Sequence, residues 1–180
     1  MTTIVGVELE SGCVIVADSR VTDDSGRIYS HPVMKKIAQR GAILIAGAGE
    51  VAPCDIAQNI WTPPAFTAKD KKDVYRYMIT KAMPSLRKCL TANGYNFDEP
   101  VDKKGDMRFQ FLMAVGGEIF DIDQDLAVMK DSKGFYAIGS GAAYALGALH
   151  AGATPEQSVE IASEVSAYTA GPIYTQLQEK

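Results

Sequence analysis

Met1-Thr2-Thr3-Ile4-Val5-Gly6-Val7-Glu8-Leu9 opens the chain as a strand, with apolar and β-branched residues from the second position and no basic segment, apolar signal core or polar tail ahead of them. The first residues of a domain are ordinarily loose, so a strand beginning at residue two is expected where the terminus itself must be held. Removal of Met1 would leave Thr2 with a hydroxyl nucleophile and, two carbons away, an α-amine. Such an amine titrates at about 7.7–8.0 and can serve as the hydroxyl's general base. An ordinary first strand accounts for the same residues, since threonine favours strands.

Working outward, Glu10-Ser11-Gly12 reads as a turn and residues 13–17 as a second, almost wholly apolar strand. In that hairpin Asp18 falls across from residues 3–5, which brings a carboxylate beside the N-terminus. In His31-Pro32-Val33-Met34-Lys35-Lys36-Ile37-Ala38 side chains alternate faces, so Lys35 and Lys36 point oppositely and one can face inward. A buried strand over 41–47 passes through Ala48-Gly49 into a helix that has Pro53 in its first turn and runs to about Ile60. Gly49, at a strand-to-helix junction with free N–H groups, is a candidate oxyanion donor; a tight turn is the other reason for a glycine there.

Further on, Asp70 or Asp73 starts a long amphipathic helix to about Leu90, kinked at Pro84. Residues 93–106 form a long polar loop, a candidate functional or interface segment. Strands follow over 108–115, 117–122, 126–129 and 135–138. Gly139-Ser140-Gly141 then opens a helix over 142–150, Thr154-Pro155-Glu156-Gln157 announces another to about Tyr168, and a short final strand surrounds Ile173-Tyr174-Thr175.

A net charge of −4 argues against a nucleic-acid binder, and Lys69-Asp70-Lys71-Lys72-Asp73 interleaves its bases with acids, as a solvated helix start does. No apolar run approaches the length needed to span a membrane. Cys13, Cys54 and Cys89 are odd in number and widely spaced, which suits reduced, buried thiols in a cytoplasmic protein. Asp121, Asp123 and Asp125 imitate the start of a calcium loop, but Leu126 stands at its glycine and Ser132 at its glutamate, so a solvated strand and turn is expected. Gly139 to Tyr144 is half a dinucleotide fingerprint without the parallel strand it requires. His31 and His150 lack metal-ligand spacing.

Four strand segments, two helices, four strand segments and two helices do not alternate as βαβ units. The order suits a single α+β domain over 1–180, a four-layer αββα sandwich of two mainly antiparallel sheets with a helical pair on each outer face.

Five blocks resemble, in order, the proteasome β-subunit superfamily of N-terminal nucleophile hydrolases, and most closely its short HslV-type peptidases. They are Thr2-Thr3-Ile4-Val5-Gly6-Val7, Ala17-Asp18-Ser19-Arg20-Val21-Thr22, Val33-Met34-Lys35-Lys36-Ile37, Ile45-Ala46-Gly47-Ala48-Gly49, and Ala137-Ile138-Gly139-Ser140-Gly141 with Tyr144-Ala145. The resemblance implies a threonine endopeptidase with Thr2 as nucleophile. Lys36, the second of its pair, would lie beside the freed amine, with Asp18 holding it charged, Gly49 N–H on the oxyanion and Ser140 relaying a proton. Thr22 would bind substrate main chain. Val21, Met34 and Val51 would line an apolar pocket for the residue before the scissile bond, so that lysine and aspartate there are cut poorly.

The resemblance also implies a homo-oligomer of stacked rings enclosing the sites, fed polypeptide by an AAA+ ATPase unfoldase. The chemistry needs no cofactor, but a monovalent cation such as sodium would sit on the carbonyls of Ser163, Ser166 and Thr169. Three departures stand out: Ser166 replaces the aspartate of proteasome β-subunits, as in the HslV branch; residues 93–106 are longer than usual in that branch; and the glycine turn at Ala48-Gly49 is one residue short. Two other functions fit the same fold, a silent structural or gating ring subunit and a small-amide hydrolase.

Overall fold

The computed structural model describes residues 2–23, 25–29, 35–97 and 108–180. Strand β1 (Thr3–Leu9) and β2 (Gly12–Ala17) form the expected hairpin, followed by the two-residue strands β3 (Val21–Thr22) and β4 (Ile28–Tyr29), which pair only with each other. Then come β5 (Ile37–Arg40), β6 (Ile43–Gly49) and helix α1 (Val51–Asp55), which continues as a π-turn over Ile56–Ile60. After a 3₁₀ turn at Asp70–Lys72, a helix runs as α2 (Val74–Tyr77), a π-turn (Met78–Ala82) and α3 (Met83–Ala92). The second half supplies β7 (Phe109–Val115), β8 (Glu118–Ile122), β9 (Val128–Met129), β10 (Phe135–Gly139), α4 (Ala142–His150), α5 (Pro155–Val165) and β11 (Tyr174–Glu179).

One sheet has the order β10-β1-β2-β11 and the other β5-β6-β7-β8-β9, every pair antiparallel. Alternation along the strands builds three packed cores between four layers. Ile4, Ile15, Leu44, Ala46 and Leu112 meet between the sheets. Val5, Val7, Val14 and Val16 turn outward onto Ala145, Leu149, Val159 and Ala162 of α4 and α5. Ile43, Ile45, Phe111 and Met113 turn onto Trp61, Tyr77, Met78, Leu86 and Leu90. Both faces of each sheet are therefore covered, which is why β2 and β6 are apolar without interruption. The αββα sandwich expected from element order is the observed architecture, with the β3–β4 ribbon as an addition.

Asp73 is the residue that starts the long helix, its side chain accepting Arg76 N–H at 2.9 Å. Asp70 is not part of a solvated helix start: it is buried, accepting from Thr67 N–H at 2.9 Å and from Lys81 Nζ at 2.6 Å. Pro84 enters directly after the π-turn, where the change of hydrogen-bond register accommodates its missing N–H. Asp121 is half-buried on Gln110 Nε2 at 2.7 Å, not solvated, and burial raises its carboxyl above the usual range. The Asp123 and Asp125 carboxylates accept the N–H groups of Gln124 and Ala127. Most of the 93–106 loop, together with His31, lies outside the described residues.

Candidate active site

β1 lies between β10 and β2, so both of its neighbours deliver groups to its first residues. Thr3 pairs with Gly139, and the Gly139-Ser140-Gly141 turn wraps Thr2. Thr2 N–H donates to Ser140 Oγ at 3.3 Å, and that hydroxyl donates to Thr2 O at 3.2 Å. Gly139 has φ +89°, and a Cβ there would lie 2.2 Å from Thr2 O; one on Gly141 would lie 2.0 Å from Thr3 Oγ1. The half fingerprint is thus explained by close approach to β1, with both glycines demanded by the backbone and hydroxyl they face.

On the other side, Ala17 pairs with Ile4, which sets Asp18 opposite Thr3 as the hairpin register required. Asp18 is 1% exposed and its carboxylate is saturated with donors. Oδ1 accepts Thr3 N–H at 2.8 Å and Lys36 Nζ at 2.6 Å, and Oδ2 accepts the N–H groups of Arg20 and Ala170, each at 3.2 Å. Lys36 Nζ also donates to Arg20 O at 2.6 Å. Burial pulls the Lys36 ammonium below the usual lysine range, against the opposing pull of Asp18. Lys35 is exposed and also borders the cleft, and it is Lys36 that reaches Asp18.

Gly49 closes β6 with φ +102°, and a Cβ would lie 2.3 Å from Arg108 O. Glu50 N–H bonds Arg108 O at 2.7 Å, which makes Gly49–Phe109 a pair whose own N–H groups point out of the β6–β7 ladder. The Gly49 N–H therefore points away from β7, to the side on which a cleft of about 510 Å³ opens.

Thr2, Lys36, Gly49, Val21, Thr22 and Val51 all line that cleft, whereas Ser140 does not and meets the site through Thr2; Met34 lies outside the described residues. The cleft also takes in Cys54, Asp55, Gln58 and Asn59, which reading the sequence for motifs missed. Their signal was periodicity: Val51, Cys54, Asp55 and Gln58 recur at i, i+3, i+4 and i+7 of one helical face. With Lys35, Lys36 and Asp55 among its lining residues, the cleft is not purely apolar. Cys54 is no rival nucleophile, because burial, then Asp55 and Glu50, push its thiol up to about 12.

Helix α5 stops at Val165, three residues before the expected end. The following segment spends its backbone groups on the site instead. Ala167 O accepts Arg20 Nη1 at 2.7 Å, Ala170 O accepts Arg20 N–H at 3.0 Å, and Ala170 N–H is on Asp18. Ser163 is in the last helical turn with its hydroxyl on Glu160 O, Ser166 is the C-cap, and Thr169 Oγ1 lies 2.6 Å from Thr3 Oγ1. Carbonyls at the end of a helix lack intrahelical partners and sit at its negative pole, which describes Ser163 and Ser166, whereas Thr169 lies beyond the helix. Ser166 O also accepts Thr169 N–H at 3.2 Å, which leaves it a second lone pair. Among the described residues no group of three or more His, Cys, Asp or Glu side chains could hold a metal ion.

Two antiparallel sheets between helical pairs are the architecture of the proteasome-type N-terminal nucleophile hydrolase fold, and this chain has it. Thiobacillus denitrificans BPH is similar over 98% of this chain and 97% of its own, with 24% identity and a TM-score of 0.72. HslV from Trypanosoma brucei is similar over 99% of both chains, at 17% identity and a TM-score of 0.64. The Anbu (Gly-1) mutant from Hyphomicrobium sp. strain MC1 is similar over 99% of this chain and 82% of its own, at 19% identity and 0.67. No protein-family model and no curated protein matches the sequence.

Proposed function

We propose that this chain is a threonine endopeptidase subunit of a self-compartmentalised, HslV-like particle, with Thr2 as nucleophile once Met1 has been removed. One observation carries the reading: Thr2 opens onto the cleft while its neighbour's N–H shares the Asp18 carboxylate with Lys36. In the reaction, Thr2 Oγ1 attacks the peptide carbonyl and passes its proton to the freed α-amine. The Lys36 charge keeps that amine neutral and basic, the Gly49 N–H takes the oxyanion, and Ser140 Oγ holds the amine nitrogen. Collapse expels the leaving amine, which takes the proton from the α-amine, and leaves an ester on Thr2; water, deprotonated by the same amine, cleaves it. Thr22 holds substrate main chain beside Val21 and Val51.

Stacked rings of identical subunits, polypeptide substrates delivered by an AAA+ ATPase, and a sodium-like cation on the Ser163, Ser166 and Thr169 carbonyls complete the proposal. Such a cation would steady the turn that delivers Ala170 N–H to Asp18. Three free cysteines favour a reducing, cytoplasmic setting.

Intact mass of protein purified from its own host, read beside hydrolysis of a peptide library, tests the reading. Loss of one methionine and turnover blocked by epoxomicin, the ligand in a T. denitrificans BPH complex, are expected. Full retention of Met1 with no turnover would overturn it.

A further inference from the structure

The helix behind the cleft changes its hydrogen-bond register at Ile56, where α1 gives way to the π-turn Ile56–Ile60. Such turns are rare and are frequently found at functional sites. The residue at the middle of this one is Gln58. It is 8% exposed, lines the cleft, and donates from Nε2 to the carbonyl of Lys36 at 2.7 Å. Its neighbour Asn59 is exposed and spends its amide on Asp55 O at 3.0 Å.

Lys36 is fixed at its tip by Asp18 and Arg20 O. Those bonds hold the end of a long, flexible side chain, and where its main chain sits decides whether that end reaches both partners. β5 begins at Ile37, so Lys36 lies immediately ahead of the strand. A buried amide donor does what an apolar side chain of the same size cannot, and it would be costly without a partner.

We propose that Gln58 is a positioning residue for Lys36, its amide anchoring the Lys36 main chain so that the ammonium reaches both Asp18 and Arg20 O. The catalytic half of this inference rests on the peptidase reading above; the positioning half does not. Two substitutions separate donor from bulk. Gln58→Met keeps the length without the donor. Gln58→Glu keeps the shape and donates only while protonated, which burial prolongs toward neutral pH.

With peptide substrate, Gln58→Met is expected to lower kcat by up to about 100-fold with little change in KM, the scale of loss that a displaced group brings. For Gln58→Glu the ratio of its kcat to that of the wild type should be highest at low pH and fall as the new carboxyl ionises against the Lys36 carbonyl. In parallel, the Lys36 side-chain titration is followed by NMR in a Thr2→Ala background, which needs no turnover, and Gln58→Met should shift it by about half a pH unit or more. A moved titration in a protein with no peptidase activity would uphold the positioning role and sink the peptidase reading. An unmoved titration, or a Gln58→Glu ratio flat across pH, would overturn the positioning role whatever happens to the rate.

Discussion

Thr2 is 7% exposed and its backbone is gripped through Ser140, so the hydroxyl is presented by a rigid strand rather than a loose terminus. Thr2→Ala should abolish peptide hydrolysis while leaving circular dichroism and melting temperature nearly unchanged; residual turnover at the wild-type rate would refute the nucleophile. Asp18 accepts four donors, one of them charged, so Asp18→Asn strips the counter-charge from a buried ammonium. Breaking a buried pair of this kind costs about 3–5 kcal/mol, which denaturant unfolding would read directly. Gly49→Ala combines an unfavourable positive φ with a Cβ only 2.3 Å from Arg108 O. The backbone strain alone is expected to cost about 1–3 kcal/mol, and wild-type stability in that variant would contradict the geometry of the junction.

Among the elements, α5 starts where a capping box is written in sequence, and both of its hydrogen bonds form: Thr154 N–H to Gln157 Oε1 at 2.9 Å and Gln157 N–H to Thr154 Oγ1 at 3.2 Å. Thr154→Ala should lower stability by about 1 kcal/mol. The start of α2 carries a pH signature. The Lys81 side chain beside Asp70, with Thr67, holds its carboxyl down at about 2, below its ordinary 3.8. A carboxyl depressed in the fold adds stability above its unfolded pKa and loses it as pH falls through the folded value. Wild type should therefore lose more melting temperature than Asp70→Asn between pH 4 and pH 2; equal losses would show that Lys81 does not hold the charge. The start at Thr154 was legible because local chemistry dictates it, and the start of the long helix was narrowed to Asp70 or Asp73. The end of α5 was not, because Ala167 and Ala170 trade helical bonds for Arg20 and Asp18, partners about 150 positions away. Hairpin register put Asp18 beside the N-terminus, whereas alternation left one of Lys35 and Lys36 inward and the choice of Lys36 came from the resemblance; helical periodicity could put Gln58 on the cleft side of its helix, but not name its partner, the Lys36 carbonyl.

At the scale of the whole molecule, Leu177 is 69% exposed, Val165 58% and Ile60 54%, and these lie on the last strand, the last helix and the π-turn beside the cleft. Rings would cover such residues. Light scattering is expected to return a mass many times the 19.4 kDa of one chain, and a monomer at micromolar concentration would count against the particle. The Asp18 carboxylate ties Thr3, Arg20, Lys36 and Ala170 to one point, and β11, just beyond Ala170, completes the sheet against β2. During synthesis the beginning of the chain emerges first and waits for its end. Until the stretch around Ala170 has left the ribosome, Asp18 lacks a donor and the turn that braces Arg20 is missing. On the peptidase reading, the Asp18–Lys36 pair is thereby tied to a residue made 152 positions later, so a chain stopped short of Ala170 would lack its full site.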